Sequence, residues 1–167
     1  MRIVAPLTLA FGCLLAATFA VPTAAFAGSA RVDQRERAIV HGINHQRAKY
    51  GLAAVKIGRS LSRAADFHSW EMLDGNYFAH DSRDGGPFDE RVRRFANKRA
   101  LGETLAFLGG SCGRGSARRV VRMWMNSPPH RAILLSGSYR RVGIGKRTGS
   151  LGSTKACVVT ADFGSKQ

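Results

Sequence analysis

The segment Met123–Leu135 reads M-W-M-N-S-P-P-H-R-A-I-L-L and contains the end of one predicted helix and the start of the next. Prolines are tolerated at the first positions of a helix, where their missing N–H groups cost little. Ser127, directly before the prolines, is a residue type that caps helix N-termini through its side chain. We therefore expect Ser127 to be the N-cap of a helix that begins at Pro128 and carries His130 in its first turn.

His130 is the residue of this segment with functional potential. The positive end of the helix dipole disfavours an imidazolium, so we expect a lowered pKa and a neutral ring for His130. A neutral imidazole is the form that binds a metal ion or acts as a general base. The alternative is that His130 only packs at the start of the helix, since most perturbed or partly buried titratable groups are structural.

The first residues of the chain are typical of an export signal. The basic start Met1-Arg2 is followed by an apolar run and by Ala25-Phe26-Ala27, an A-x-A cleavage pattern. We predict a signal peptide over residues 1–27, which leaves residues 28–167 as a single exported domain. A retained membrane anchor and a lipid attached at Cys13 are the alternatives, and both fit the run length and its flanks less well.

The chain is strongly basic, with 26 Lys and Arg against 11 Asp and Glu and a net charge of +15. Arginines cluster at 91–99, 114–122 and 140–147, and such a surface attracts polyanions. Exported proteins rarely meet nucleic acid, so we expect a cell-envelope polyanion or lipid as partner and no nucleic acid. A solvated basic surface without a ligand is the alternative. We further expect a monomer, secreted or periplasmic, without a transmembrane segment once the signal is removed.

Cysteine usage predicts one disulfide. When the signal is removed, Cys112 and Cys157 remain as an even pair in an oxidising compartment. Their bond would tie the glycine-rich loop at 109–115 to the last strand. Closing a loop of about 45 residues stabilises a fold by about 2–4 kcal/mol.

Periodicity places helices mainly in the first half of the domain and strands mainly in the second. The predicted elements are helices over 32–50, from Ser60 or Ser62 to Asp74, around 88–95 and over 117–125, and strands over 101–107, 141–146 and 157–164 with a turn at 149–153. The nearly continuous apolar run of the last strand indicates a central position covered on both faces. This order predicts an α+β fold in which helices sandwich a sheet.

Four further histidines differ in their surroundings. His41 and His45 lie four apart on the first helix, nearly opposite its apolar face and without the glutamate of an H-E-x-x-H motif, so we expect both to be exposed. His68 lies on the apolar face of the second helix, where a hydrogen-bonded core histidine is favoured over a ligand. His80 opens a polar glycine turn and is predicted to be accessible.

Several short motifs follow one another along the chain. They are Asn44-x-x-Arg47, Tyr77-Phe78-Ala79-His80-x-Ser82, Leu101-Gly102-Glu103-Thr104-Leu105-Ala106, Trp124–Leu134, Val142-Gly143-Ile144-Gly145 and Ala161-Asp162-Phe163-Gly164. In this order they resemble the CAP superfamily of cysteine-rich secretory, antigen 5 and pathogenesis-related proteins, and most closely its small bacterial secreted members. The resemblance implies a three-layer α-β-α sandwich with a surface cleft of two histidines and acidic residues that can hold a divalent ion, often zinc.

The resemblance also implies which residues line that cleft. Its metal ligands, and its catalytic candidates if the protein is an enzyme, would be His80, Glu103 and His130. The family's second glutamate, three residues after the tryptophan, is replaced here by Ser127. The residues assigned to the cleft or to its support are Ser127, Trp124, Asn44 and Arg47.

These residues favour binding over catalysis. Two histidines and a carboxylate can make a three-ligand zinc site with an open position for water. A hydrolytic site would also need a general base, which Ser127 does not provide. We therefore expect a module that binds a cell-envelope component, a lipid or a small apolar ligand, since the resembled family includes sterol and fatty-acid binders. The alternatives are a metal-dependent hydrolase of peptide or wall polymer and a disulfide-stapled scaffold with a vestigial cleft.

Overall fold

The computed structural model describes residues 33–166, so the predicted signal peptide and Cys13 lie outside the described part. Its elements are α1 (Gln34–Lys49), β1 (Lys56–Ile57), α2 (Arg59–Asp74), α3 (Phe88–Arg93), β2 (Leu101–Gly109), α4 (Ser116–Asn126), α5 (Pro128–Leu134), β3 (Arg141–Leu151) and β4 (Thr154–Gly164). Within residues 33–166, no helix has the length and apolar character needed to cross a membrane.

The four strands form one sheet in the order β1-β3-β4-β2. β1 pairs with β3 in parallel, while β3 with β4 and β2 with β4 are antiparallel. β4 is therefore central and is buried from Ala156 to Gly164. This confirms the position predicted from its apolar run. β1 escapes prediction because two residues are too short to show a strand period.

Helices cover both faces of this sheet. α2 packs on β3 and β4 on one face, and α1, α4 and α5 lie on the other. The close approach of α2 depends on glycine, because a Cβ added at Gly143 would lie 2.0 Å from the backbone of Leu61, and one at Gly145 would lie 2.2 Å from the backbone of Ala65. The fold is thus the expected three-layer α-β-α sandwich.

The largest core lies between the sheet and the layer of α1, α4 and α5. Its buried members include Ile39, Ile43, Val120, Trp124, Leu134, Val142, Ile144, Val159 and Phe163. The disulfide between Cys112 and Cys157 joins the loop before α4 to the central strand at the edge of this core. The predicted pairing is therefore confirmed.

β3 and β4 are longer than their apolar segments predict. Their pairing continues to Leu151 opposite Thr154, so the turn predicted over 149–153 shortens to Gly152-Ser153. Gly152 has a φ of +58°, which suits the first position of a type II′ hairpin turn. The additional strand residues are mostly exposed and polar, so hydrophobic periodicity does not reveal them.

α5 begins at Pro128 with Ser127 at its N-cap, as predicted, but the Ser127 side chain makes no capping hydrogen bond. An N-cap side chain accepts from the N–H of the second or third helical residue, and Pro129 in the second position lacks that group. The backbone carbonyl of Ser127 does accept from the N–H of Arg131 at 2.8 Å. Ser127 therefore starts the helix through its backbone alone.

Candidate functional site

His80 lies in the loop between α2 and α3, with half of its side chain exposed. Its Nδ1 is 2.8 Å from Oε1 of Glu103. A carboxylate only accepts hydrogen bonds, so Nδ1 carries the proton and donates it. In the neutral ring, Nε2 of His80 then keeps a free lone pair, as a metal ligand or a general base requires.

Glu103, on β2, is the central residue of the site. Its side chain is 1% exposed, which makes its charge costly unless it is paired. Oε1 accepts from His80, Oε2 is bound by the guanidinium of Arg91, and Nε2 of His68 lies 3.9 Å from Oε1. Glu103 is thus a buried carboxylate surrounded by donors.

Arg91 is a site residue whose position differs from the prediction. Its arginine cluster predicts a place on the basic surface, and this prediction is wrong for Arg91, which is 1% exposed. Its Nη1 donates to the carbonyl oxygen of His80 at 2.9 Å and to Oγ of Ser82 at 3.1 Å, while Nη2 binds Glu103. One side chain therefore holds the His80 loop and orients the carboxylate that contacts the imidazole.

Helical spacing contains a signal for this burial. Arg91 stands three residues after Phe88 and four before Phe95, so it lies on the apolar face of α3. An arginine in that register requires a buried partner. The spacing does not name that partner, since Glu103 follows in another element.

A second layer of polar groups lies beneath the cleft. His68 is fully buried, with Nδ1 2.8 Å from Oε1 of Glu71 and Nε2 2.9 Å from the carbonyl oxygen of Ala79. The Tyr77 hydroxyl donates to the same Glu71 oxygen at 2.6 Å. Burial acts to raise the pKa of Glu71, but hydrogen bonds from His68 and Tyr77 outweigh it and hold that pKa below its usual value. His68 is the hydrogen-bonded core histidine predicted for α2.

Asp162 is directly opposite Glu103 in the pairing of β2 with β4. It is fully buried, and within residues 33–166 neither of its carboxyl oxygens has a hydrogen-bond partner. Burial, and after it the charge of Glu103, raise the pKa of Asp162 well above its ordinary value. A carboxyl group that keeps its proton is neutral, which spares the pair a second buried charge. Asp162 and Glu103 are neighbours because of the strand register, which no local sequence pattern reveals.

His130, in the first turn of α5, lies against His80 with 6.3 Å between the ring centroids. Burial and then the proximity of His80 lower the pKa of His130. The direction agrees with the neutral ring expected from the sequence, but the causes are burial and the neighbouring histidine rather than the helix dipole. His80 is therefore the common neighbour of Glu103 and His130.

Of the three predicted metal ligands, Glu103 is the one already bound by other side chains. Both oxygens of Glu103 are engaged by His80 and Arg91, so this carboxylate is placed to orient the imidazole as outer-shell carboxylates do in metal sites. His80 and His130 remain as donors, and imidazole nitrogen suits zinc. Within residues 33–166, no three His, Cys, Asp or Glu side chains are grouped closely enough to hold a metal ion. An ion at this site would need further ligands from water or substrate.

Asn44, Trp124 and Arg47, also predicted to line or support the cleft, make hydrogen bonds that join elements of the fold. Asn44 makes two hydrogen bonds with the backbone of Val55, which ties α1 to the segment before β1. The Trp124 indole N–H donates to the carbonyl oxygen of Leu105 at 2.8 Å and so joins α4 to β2. Arg47 is fully buried and donates to backbone carbonyl oxygens.

A second concave feature, the α1–α4 groove, lies between these two helices and has a volume of 680 Å³. Its lining combines small or apolar side chains with cationic and imidazole groups: Ala38, Gly42, Val121 and Met125, with His41, His45, Arg118 and Arg122. His41 and His45 are exposed as predicted, and both border the groove. A smaller hollow of 400 Å³ adjoins it at the start of α4 and shares Ala38, Gly115 and Ala117.

Comparison of the sequence with known proteins identifies a family and several relatives. The family described as CAP, the cysteine-rich secretory protein family, matches residues 40–163. The uncharacterized protein YkwD of Bacillus subtilis (strain 168) is 34% identical over 115 residues, which cover 68% of this chain and 43% of that protein. The uncharacterized membrane protein YlbC of the same strain is 32% identical over 111 residues, with coverage of 66% and 31%. The chain spans less than half the length of either relative.

Solved structures share the fold. An extracellular protein containing an SCP domain from Bacillus anthracis (strain Ames) superposes with a TM-score of 0.64 at 27% identity, covering 78% of this chain and 40% of that one. An outer surface protein from Borrelia burgdorferi superposes with a TM-score of 0.66 at 19% identity, covering 81% of this chain and 96% of that one, and this likeness shows the fold alone. From the family match and this shared architecture, the chain belongs to the CAP family of cysteine-rich secretory proteins.

Proposed function

We propose that this CAP domain is a secreted or periplasmic binding module for an amphiphile, a molecule with an apolar chain and an anionic head group. The observation that carries the proposal is the α1–α4 groove, which combines an apolar lining with arginines. Its volume of 680 Å³ lies within the range of about 300–1,000 Å³ that is usual for small-molecule sites. The resemblance to a family with sterol and fatty-acid binders supports the same ligand class.

The groove offers separate contacts for the two parts of such a ligand. An acyl chain lying against Val121 and Met125 would gain roughly 25 cal/mol for each Å² of apolar surface removed from water. Arg118 and Arg122 have no hydrogen-bond or ion-pair partner within residues 33–166, so their guanidinium groups are available to a carboxylate or phosphate. The adjoining hollow would extend the space available to a long chain.

Binding of a fluorescent long-chain fatty acid, measured with and without a groove-filling substitution, tests the proposal. Ala38 is exposed and lines the groove, so Ala38→Trp occupies it without altering the core. Ala48→Trp, on an exposed position of the same helix outside the groove, is the matched control. We expect at least a tenfold loss of affinity in the first variant alone. Absence of binding by the parent protein, or equal affinities in all three proteins, would overturn the proposal.

The cleft of His80 and His130 forms the second part of the proposed function. We propose that these two imidazoles hold a divalent ion, with zinc expected, and that Glu103 and Arg91 keep His80 oriented for it. Bound zinc supplies Lewis acidity and binds water. Calorimetric titration of zinc into the parent protein and into His80→Ala/His130→Ala tests this site. One-site binding that is lost in the variant supports it, and equal heats in both proteins contradict it.

A metal-dependent hydrolase of peptide or wall polymer is the second candidate function. It is favoured by the contact of His80 with a buried carboxylate, an arrangement also found at catalytic metal sites. His80 and His130 would hold the ion, and Glu103 would keep the Nδ1 proton of His80 in place. Turnover of peptide or wall-polymer substrates that requires added zinc and is lost in a folded Glu103→Gln variant would establish this activity. Zinc binding without turnover would leave the protein a binding module.

A further inference from the structure

Basic and acidic residues are segregated along this chain. Residues 104–161, which lie between Glu103 and Asp162, contain ten Lys and Arg and no Asp or Glu. They form α4, α5, β3 and most of β2 and β4. The α4 region is therefore cationic without acidic residues of its own.

The outer face of α4 concentrates this charge. Arg118, Arg119 and Arg122 are exposed on the helix, and Arg114 is exposed just before it. None of the four guanidinium groups has a hydrogen-bond or ion-pair partner in the described part of the chain. Arg118 and Arg122 are four residues apart, a spacing at which like charges destabilise a helix. A bound anionic surface would relieve that repulsion.

The same face also carries apolar surface. Met123 is 43% exposed and stands four residues after Arg119, so the two lie side by side on α4. The α1–α4 groove opens along this helix, with Arg118 and Arg122 in its lining. A soluble polyanion would contact the arginines but leave the methionine and the groove without a role. An anionic bilayer offers phosphate groups to the first and an apolar region to the second.

We propose that the outer face of α4 docks on an anionic lipid bilayer and turns the mouth of the α1–α4 groove toward the membrane. The inference rests on the proposed function in one respect, since an amphiphile would then enter the groove from the bilayer. Each arginine near such a surface adds to the free energy of membrane binding, and salt screens this attraction. Docking is therefore reversible and sensitive to ionic strength.

Vesicle binding with two matched triple variants tests the location of the docking face. The parent protein is mixed with neutral phosphatidylcholine vesicles and with vesicles that also contain phosphatidylglycerol. Arg118→Gln/Arg119→Gln/Arg122→Gln removes the α4 charges, and the control variant removes the same net charge from exposed positions elsewhere: Arg59→Gln/Arg63→Gln/Arg99→Gln. We expect binding to anionic vesicles only, with about fivefold lost per arginine, or about 100-fold, in the α4 variant. Equal losses in the two variants would overturn the proposal.

An environment-sensitive fluorophore tests contact with the bilayer itself. It is attached at Met123→Cys, with Ser153→Cys on the exposed β3–β4 turn as control. Anionic vesicles should shift the emission to the blue when the fluorophore is at position 123, but not when it is at position 153. Binding to soluble polyphosphate that displaces the vesicles, with no shift at position 123, would replace the bilayer by a polyanion and overturn the proposal. Fatty-acid binding in solution without vesicle binding contradicts docking alone, whereas vesicle binding without fatty-acid binding contradicts the proposed function alone.

Discussion

Within residues 33–166, two arginines are buried in different helices, Arg47 on α1 and Arg91 on α3, and they are held in opposite ways. Arg47 donates to the carbonyl oxygens of Leu134 at 2.7 Å and Ser136 at 2.9 Å. Arg91 binds the carboxylate of Glu103. The guanidinium of Arg47 donates to backbone carbonyl groups, whereas that of Arg91 also pairs with a negative charge.

The difference shows that the partner, rather than the residue type or its burial, decides what a buried arginine does. The carbonyl groups at the end of α5 lack partners within the helix, and Arg47 satisfies them while burial lowers its own pKa. Its role is to close a helix end. Arg91 neutralises Glu103, which in turn orients His80, so its role is to build the cleft.

Arg47→Met tests the structural half of this comparison and should have the largest effect. It leaves the buried carbonyl group of Leu134 and the partly buried carbonyl groups of Ala53 and Ser136 without this donor, at about 1–3 kcal/mol for each buried group. We expect the free energy of unfolding, measured in denaturant, to fall by about 4 kcal/mol. Arg47→Lys should recover part of this loss because it keeps a donor. A loss below about 1 kcal/mol would mean that water replaces the guanidinium and that the hydrogen bonds of Arg47 do not stabilise the end of α5.

A double-mutant cycle on Arg91 and Glu103 tests whether Arg91 is held mainly by its charge pair with Glu103. Arg91→Met or Glu103→Leu alone leaves one buried charge unpaired and should cost about 3 kcal/mol. The double variant leaves neither charge and should cost clearly less than the sum of the two. Additive losses would show that Arg91, like Arg47, is held mainly by carbonyl and hydroxyl groups.

Asp162→Asn tests the raised pKa of Asp162 through the pH dependence of the unfolding free energy. The raised pKa of Asp162 means that the native carboxyl keeps its proton while the unfolded one loses it above about pH 4. The parent protein then loses up to about 1.4 kcal/mol of stability per pH unit as the pH rises through this window. Asparagine is similar in size to aspartic acid and does not titrate. Relative to the parent, its unfolding free energy should rise as the pH increases above about pH 4. Parallel stability curves would contradict the raised pKa of Asp162.

The smallest effects are expected at two helix N-caps, Ser127 of α5 and Asp33 of α1. Ser127→Ala should cost less than about 0.5 kcal/mol, because the Ser127 side chain makes no capping bond. Asp33→Ala removes a side chain that accepts from the N–H of Glu36 at 2.8 Å and should cost about 1 kcal/mol. Thermal denaturation of both variants measures the contrast. An equal loss in both would show that Ser127 caps α5 in solution.

Much of the fold could be predicted because its signals are local. The prolines after Ser127 mark the start of α5, the apolar run of β4 predicts its central position, and the even cysteine count predicts the disulfide. Predictions were wrong where polar residues extend β3 and β4, and incomplete at the two-residue β1. Neither feature is visible to hydrophobic periodicity.

The candidate site shows the same division between local signals and distant contacts. His80 and His130 were selected from their motifs, and the structure brings their rings to 6.3 Å. Arg91 was assigned to the surface because its cluster is basic, although its register on α3 indicated burial. Asp162 was only one position in a strand, since its relation to Glu103 depends on the pairing of β2 with β4.

The helices, the central strand, the disulfide and the two cleft histidines can be predicted from local patterns, because periodicity, caps and cysteine parity act over a few residues or by simple count. The roles of three buried groups depend on packing: Arg47 closes a helix end, Arg91 neutralises Glu103, and Asp162 faces the same carboxylate. A buried charge acquires its role from the groups that replace water around it. Here those groups come from other strands and helices, and the packing of the three layers brings them together.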